Sequence, residues 1–340
     1  MARPAHRPVA CPKARVNPVR PYNSRRALRR RLLARISVRP NILTSIGCAV
    51  AIVGTTTLAQ DVYVTLCRVR FVVTDAQARI VPHLGPDDLV VLDNNIPQQL
   101  AEFHERSNAG LRLAVILDRS QSVSDQFKFL TDAAATIVTT IVHQPDDQAL
   151  LVAFDSKPYL LRDWTSDARL IADDLRKVTS AGGSSIFDAL LKTCRDKLAE
   201  DDDPRRKVVV LITDGEDTTS VATFDETLAA IRQAKVVVEV VAVHTQNSMN
   251  TADLQGERVL ARLADLSGGR VWYPDLNRKD EPVALSAKLD QELRNWYDAS
   301  YYLHVPPDDS FHRIRIEPKD KSLTVRAPLG YYAWKLPRGH

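Results

Sequence analysis

The feature that most constrains the fold is an apolar run that ends at an aspartate. Residues 113–117 read Leu-Ala-Val-Ile-Leu, Asp118 follows, and hydroxyl groups stand at alternate positions, Ser120 and Ser122. A run this short and apolar predicts a buried strand, and apolar residues at helical spacing over 123–143 predict a helix directly after it. Ligands of open α/β folds bind at the carboxyl ends of the strands. This turn is therefore the first candidate site.

Strand and helix patterns alternate from residue 109 to residue 298. Strands are predicted at 113–117, 149–154, 208–212, 236–243 and 270–273. Helices are predicted at 123–143, 166–175, 186–198, 224–235, 256–267 and 282–297. Because the strands are apolar on both faces and separated by helices, the pattern predicts a Rossmann-like α/β domain. It has a mostly parallel central sheet with helices on both faces.

The segments on either side of this domain carry a different pattern. Residues 61–108 and 299–340 contain short period-two stretches that are typical of β-strands. Each segment alone is too short to bury much core. We therefore predict that the two segments pack together as one small β-sandwich, into which the α/β domain is inserted.

The amino-terminal segment, residues 1–60, has the pattern of an export signal. Residues 1–41 contain 12 basic residues and no acidic residue, and the 18 residues of 42–59 carry no charge and end at Ala59. This order predicts a signal peptide cleaved after Ala59, with a retained membrane anchor as the alternative. We therefore expect an exported protein that is periplasmic, bound to the cell envelope or secreted.

The net charge of +4 is a property of that segment alone, because the rest of the chain has 34 basic and 42 acidic residues. No basic stripe interleaved with aromatic residues recurs later, so a nucleic-acid partner is not expected. A membrane is expected as a partner only through the possible anchor.

The four cysteines predict no disulfide framework. Cys11 and Cys48 lie in the amino-terminal segment, which leaves Cys67 on a predicted strand and Cys194 on a predicted helix. Two separately buried thiols are the main expectation, and a disulfide between them in an oxidising compartment is the alternative.

Three loops carry the polar groups of the candidate site. They are 118–122, the Gly-Gly-Ser-Ser turn at 182–185, and Thr-Asp-Gly-Glu-Asp at 213–217. All three are expected at the same edge of the predicted sheet, where they converge. Together they offer several hydroxyls and few carboxylates, and oxygen ligands of this kind suit Mg²⁺ or Mn²⁺. Neutral hydroxyl ligands leave a metal able to accept one more carboxylate.

The three motifs together resemble the metal-ion-dependent adhesion site of von Willebrand factor type A domains, and residues 111–297 fit the order of elements in that domain. The flanking sequences FVVTDAQARIVPHLGPDDLVVLDNNIPQQLAEF, LRNWYDASYYLHV and LTVRAPLGYYA resemble the exported VWFA-related acidobacterial domain proteins. The resemblance implies a metal shell of five residues: Asp118, Ser120, Ser122, Ser184 and Asp214. The second loop of the family usually supplies Thr where this chain has Ser184, and Ser185 is the alternative register.

The resemblance implies an exported, metal-dependent protein-binding module of the adhesion type. Its partner is a protein that offers an Asp or Glu to the metal. The alternative is a structural or assembly subunit of the cell envelope, in which the metal is incidental. A hydrolase using Ser120, Asp118 and His244 is a distant third, because the chain has no G-x-S-x-G elbow. We therefore predict that the protein is not an enzyme.

Overall fold

The computed structural model describes residues 65–199, 203, 205–243, 251–303 and 310–332. The predicted signal or anchor at 1–60 and His244 lie outside the described residues. All described residues belong to one unit, Ala59–His340. No helix in these ranges has both the length and the apolar character needed to cross a membrane.

The elements follow one another in the order that strand and helix patterns suggest, with additions. The strands are β1 (Thr65–Thr74), β2 (Leu89–Asp93), β3 (Ile96–Pro97), β4 (Leu100–Arg106), β5 (Leu111–Asp118), β6 (Gln148–Phe154), β7 (Pro158–Thr165), β8 (Arg206–Thr213), β9 (Val237–Ala242), β10 (Val271–Trp272), β11 (Trp296–Leu303), β12 (Phe311–Pro318), β13 (Thr324–Arg326) and β14 (Gly330–Tyr332). The helices are α1 (Phe127–Ile141), α2 (Ala168–Leu175), α3 (Ile186–Thr193), α4 (Phe224–Ala234), α5 (Thr251–Ser267) and α6 (Glu281–Arg294).

The central sheet has the strand order β10-β9-β8-β5-β6-β7. Strand β5 pairs in parallel with β6 on one side and β8 on the other, and it is buried along its whole length. The predicted α/β fold with a mostly parallel sheet is therefore confirmed. Strand β7 was not predicted; it pairs antiparallel to β6 at the edge of the sheet. As an edge strand it is only partly buried, so its sequence lacks the apolar run that marks the inner strands.

Helices cover both faces of this sheet. On one face Leu113, Val115 and Leu117 of β5 join a core that includes residues of α1, α2 and α6. On the other face Ala114 and Ile116 join a core built with α3, α4 and α5. Because side chains alternate along a strand, one apolar run supplies both cores.

Strands from both flanking segments form two further sheets. One has the order β13-β1-β11-β4 and the other β14-β12-β2-β3. Both sheets contribute buried residues to one cluster, which contains Phe71, Val91, Tyr301 and Ile316. We call these two sheets the β unit. Segments before and after the α/β domain thus pair with each other, whereas the β-sandwich packing of the two sheets stays a prediction.

The last helix predicted for the α/β domain ends earlier in the structure than expected. The helix predicted at 282–297 ends at Arg294, and β11 begins at Trp296, so the expected boundary after residue 298 falls inside a strand. The reason is tertiary: the Tyr297 ring stacks on Phe71 and Phe103 of the β unit, with centroids 5.5 and 5.4 Å away. Burial of a large aromatic ring in another sheet outweighs a helical pattern that is continuous in the sequence.

The cysteines of the described region are both buried free thiols, Cys67 in the β unit and Cys194 after α3.

Candidate metal centre

Asp118 is the residue on which the three predicted loops converge. Its side chain is fully buried at the end of β5. Its Oδ1 accepts a hydrogen bond from the backbone N–H of Ser120 at 2.8 Å. Its Oδ2 accepts bonds from the hydroxyls of Thr213 at 2.6 Å and Ser184 at 3.2 Å. One carboxylate therefore contacts a residue of each loop.

The first loop presents its two hydroxyls together. The Oγ atoms of Ser120 and Ser122 lie 2.9 Å apart, with Ser120 buried and Ser122 exposed. A short 3₁₀ helix, Gln121–Gln126, begins here, and the Ser120 side chain makes no capping hydrogen bond to it. The Ser120 side chain therefore does not cap this helix. The two hydroxyls thus lie side by side, with the Ser120 hydroxyl on the buried side near Asp118 and the Ser122 hydroxyl on the solvent side.

The second loop resolves the choice between its two serines. Ser184 faces Asp118, whereas the Ser185 hydroxyl is buried and donates to the backbone carbonyl of Asp155 at 2.7 Å. The loop is held against the first by a bond from the Gln121 N–H to the Gly182 carbonyl at 3.0 Å. Gly182 has φ +77, and a Cβ there would lie 3.2 Å from the Cβ of Asp155. The positive φ and the close approach together favour glycine at this position.

The third loop brings Asp214 to the same edge. Asp214 is half-buried, and its Oδ1 is buried without a hydrogen-bond partner. Buried carboxylate oxygens normally have a partner, so this atom is available to a ligand. Asp217 does not point to the centre, because its carboxylate accepts bonds from the backbone N–H groups of Phe187 and Ser220. It anchors the loop and the start of α3.

The electrostatics of the centre are those of a carboxylate without a cation. Burial raises the pKa of Asp118 to about 6; hydrogen bonds from Thr213 and Ser120 oppose this rise, and the charge of Asp214 adds to it. Among the described residues, no Lys, Arg or His forms an ion pair with Asp118. A buried charge of this kind is costly unless a positive charge lies close to it.

Two features of the centre were missed in the sequence. Thr213 donates the shortest bond to Asp118, and only its place before Asp214 pointed to it. The turn between β6 and β7 is the second feature. Its Ser156 hydroxyl accepts a bond from the Gly183 N–H at 3.0 Å, and Asp155 pairs with Arg119 at 3.4 Å. The end of the predicted strand at 149–154 was the signal that could have placed this turn at the same edge of the sheet.

The donors fit a hard divalent cation. The five predicted ligands supply only hydroxyl and carboxylate oxygens, which are preferred by Mg²⁺ and accepted by Mn²⁺. The described part of the chain has no group of three or more His, Cys, Asp or Glu side chains arranged to hold a metal. A centre at this edge therefore depends on hydroxyls together with Asp118 and Asp214.

Residues 113–216 match the family model of the von Willebrand factor type A domain. This chain contains a von Willebrand factor type A domain. The matched range includes all five predicted ligands: Asp118, Ser120, Ser122, Ser184 and Asp214. The match does not extend to the flanks of the type A domain, where resemblance to the acidobacterial proteins stays a prediction. A comparison with curated protein sequences finds no match.

Several solved structures are similar to this chain. BatB, a conserved hypothetical protein from Bacteroides thetaiotaomicron, has 16% identity and a TM-score of 0.43, covering 54% of this chain and 98% of that chain. The vWF domain of the type V pili tip protein Mfa5 from Porphyromonas gingivalis has 12% identity and a TM-score of 0.42, covering 55% and 94%. A von Willebrand factor type A protein from Catenulispora acidiphila has 11% identity and a TM-score of 0.42, covering 72% and 74%. Likeness of this degree carries no information on partners or location.

Proposed function

We propose that this protein is an exported, divalent-metal-dependent protein-binding module of the adhesion type, and not an enzyme. Five residues would hold the ion, Mg²⁺ or Mn²⁺: Asp118, Ser120, Ser122, Ser184 and Asp214. The partner is a protein that offers an Asp or Glu side chain. The observation that carries the proposal is the buried Asp118 carboxylate, surrounded by hydroxyls and lacking a cation.

Two of the five residues are charged ligands of the ion, and the other three are neutral ligands. Asp118 and Asp214 supply two negative charges, and the three serines supply neutral oxygens. When bound, the ion supplies Lewis acidity towards a carboxylate from outside. Ser122 is exposed, so the centre opens to solvent on that side and a partner can reach it. Thr213 and the Ser120 N–H orient Asp118 through its two oxygens.

Export is supported by the amino-terminal pattern of the sequence. The acid-free basic segment, the uncharged run at 42–59 and Ala59 are in the order of a cleaved signal peptide. Mass spectrometry of the protein from its native host is expected to find a chain that starts at Gln60. A chain that begins at Met1 and sediments with membranes would instead support the retained anchor.

Calorimetric titration of the purified chain with Mg²⁺ and Mn²⁺ tests the metal site. Asp118→Ala removes a charge that faces the ion, so affinity is expected to fall at least tenfold, about 1.4 kcal/mol or more. Ser184→Thr keeps the hydroxyl and retains binding, whereas Ser184→Ala weakens it. Asp132→Ala is the matched control, because Asp132 is an exposed carboxylate on α1 paired with Lys128.

Two results would decide against the proposal. The first is the absence of both heat and thermal shift at millimolar metal, with and without acetate, with Asp118→Ala indistinguishable from wild type. The second is association with a protein of the cell envelope that survives a chelator unchanged. That outcome favours the assembly subunit, in which the metal is incidental.

A further inference from the structure

The turn between β6 and β7, residues 155–157, forms a fourth loop of the metal centre. Its contacts fall on residues next to predicted ligands. Asp155 pairs with Arg119, which lies between Asp118 and Ser120 in the chain. The Ser156 hydroxyl bonds Gly183, the neighbour of Ser184. The tip of this turn therefore stands at the rim of the centre.

The turn is held in one conformation by its own hydrogen bonds. The Asp155 N–H donates to the Lys157 carbonyl at 3.2 Å, and the Lys157 N–H donates to Asp155 Oδ1 at 3.3 Å. The Phe154 carbonyl accepts a bond from the Arg119 N–H at 2.9 Å. Lys157 is exposed, yet its backbone is fixed relative to the first loop. Fixing the backbone in advance lowers the entropy cost of binding.

The turn also carries a positive charge that no carboxylate balances. The Lys157 Nζ lies 5.4 Å from the centroid of the Tyr159 ring, and the Arg119 guanidinium lies 5.8 Å from the same ring. Arg119 is paired with Asp155. No carboxylate of the described residues lies within ion-pair distance of Lys157. The ring holds the ammonium group near the rim by a cation–π contact.

The third loop has the opposite charge on its side of the centre. Asp214, Glu216 and Asp217 follow one another closely in the third loop, and Asp188 on α3 accepts bonds from the N–H groups of Val221 and Ala222. A ligand with more than one carboxylate is repelled on that side. Within the described loops 118–122, 155–157, 182–185 and 213–217, Lys157 is the one basic side chain without an ion pair.

We propose that Lys157, supported by Tyr159, forms a basic subsite for a second carboxylate of an acidic peptide ligand. This second carboxylate lies beside the carboxylate that completes the coordination of the metal. The preferred ligand therefore carries two adjacent acidic residues. The inference rests on the proposed function, because the first carboxylate is positioned by the metal. The second carboxylate adds an exposed ion pair and a preference for orientation, not the main binding energy.

NMR titration of the full chain in Mg²⁺ with two peptides tests the subsite. The peptides are acetyl-Gly-Asp-Gly-amide and acetyl-Gly-Asp-Asp-Gly-amide. At low salt the second carboxylate is expected to strengthen binding to wild type about twofold to fivefold. The gain disappears in Lys157→Gln and is kept in Lys157→Arg. It also shrinks as salt is added, because the pair is exposed.

Lys321→Gln is the matched control. Lys321 is also an exposed lysine without an ion pair in the described region, but it lies in the turn between β12 and β13. It is expected to keep the gain, which separates a local effect from a change in net charge. Two outcomes would overturn the subsite alone. In the first, Lys157→Gln shows the same gain in affinity from the second carboxylate as wild type. In the second, wild type shows no such gain although the single-carboxylate peptide binds in Mg²⁺. If neither peptide binds, or if both bind equally without Mg²⁺, the proposed function fails and the subsite fails with it.

Discussion

Two fully buried aspartates lie at opposite ends of the parallel strands of the central sheet. Asp147 lies at the amino ends of these strands and Asp118 at their carboxyl ends, and their surroundings differ. Asp147, just before β6, accepts bonds from Arg294 at 2.7 Å and from the N–H groups of Gln144 and Leu111. Burial raises the pKa of Asp147, but Arg294 and these N–H groups together lower it by more than burial raises it. The net shift of the pKa is therefore downward. Asp118 accepts three bonds but has no cation, and burial raises its pKa to about 6.

The comparison shows what each edge is built for. At the Asp147 edge, the protein supplies the positive charge itself, so the charge pair contributes to holding α6 against the sheet. At the Asp118 edge, the protein supplies oxygens alone. A buried carboxylate left in this state lowers stability until a cation binds. The same sheet thus has a closed ion pair at one edge and a site that requires an ion at the other.

Removing the internal cation tests the closed edge and should have the largest effect. Arg294→Met leaves Asp147 buried without a positive partner, so the free energy of unfolding is expected to fall by about 3–5 kcal/mol. Denaturant unfolding measures this change. The double variant with Asp147→Asn should recover part of the loss. Lys128→Met, which breaks an exposed pair on α1, is the control and should change stability by less than about 1 kcal/mol. A loss for Arg294→Met as small as the control's would remove the contrast.

Neutralising each aspartate in turn should give opposite results. Asp118→Asn keeps the shape, and its amide can donate to the hydroxyls of Thr213 and Ser184. Without metal it is therefore expected to raise the free energy of unfolding, on the order of 1–2 kcal/mol. It should also abolish stabilisation by Mg²⁺. Asp147→Asn should lower stability, because it removes the partner of Arg294. Thermal melts with and without Mg²⁺ measure both variants, and a destabilised Asp118→Asn would break the comparison.

The pH dependence sharpens the same contrast with a smaller effect. The pKa of Asp118 in the folded protein is about 6, above its ordinary value of 3.8. The folded state therefore holds this proton more tightly than the unfolded chain does. The resulting stability is present below pH 3.8 and is lost as the pH rises through 6.

Two measurements follow from this sign. In metal-free protein the stability advantage of Asp118→Asn over wild type should grow between about pH 4 and pH 6.5 and then level off. Because metal must displace the proton, Mg²⁺ affinity should fall below pH 6 by up to about tenfold per unit. An advantage that does not change with pH would show that Asp118 is ionised throughout.

Much of the α/β architecture could be predicted because its signal is local. The apolar run of β5 and the helical spacing after it follow from burial of one strand between two helical layers. The edge strand β7 could not be predicted, since none of its residues is fully buried and its pattern is mixed. The start of β11 was also missed, because Tyr297 is fixed by the rings of Phe71 and Phe103, which lie far away in the chain.

The candidate site shows the same division. The order of the three motifs identified Asp118, Ser184 and Asp214 as converging residues, and the structure places Ser184 within hydrogen-bond distance of Asp118. The sequence left open whether Ser184 or Ser185 faces the centre. Only the tertiary structure decides this, because Ser185 is engaged by the carbonyl of Asp155.

The sequence by itself determined the fold class and the residues that end each strand, since periodicity and turn chemistry act over a few residues. The tertiary structure decided which charges are compensated. Asp118 receives its bonds from Ser184 and Thr213, which are 66 and 95 residues away, and Asp147 meets Arg294 across 147 residues. The pKa of a buried carboxylate depends on such distant partners and on exclusion of water. No local sequence pattern therefore shows that Asp147 is paired with a cation of the described residues whereas Asp118 is not.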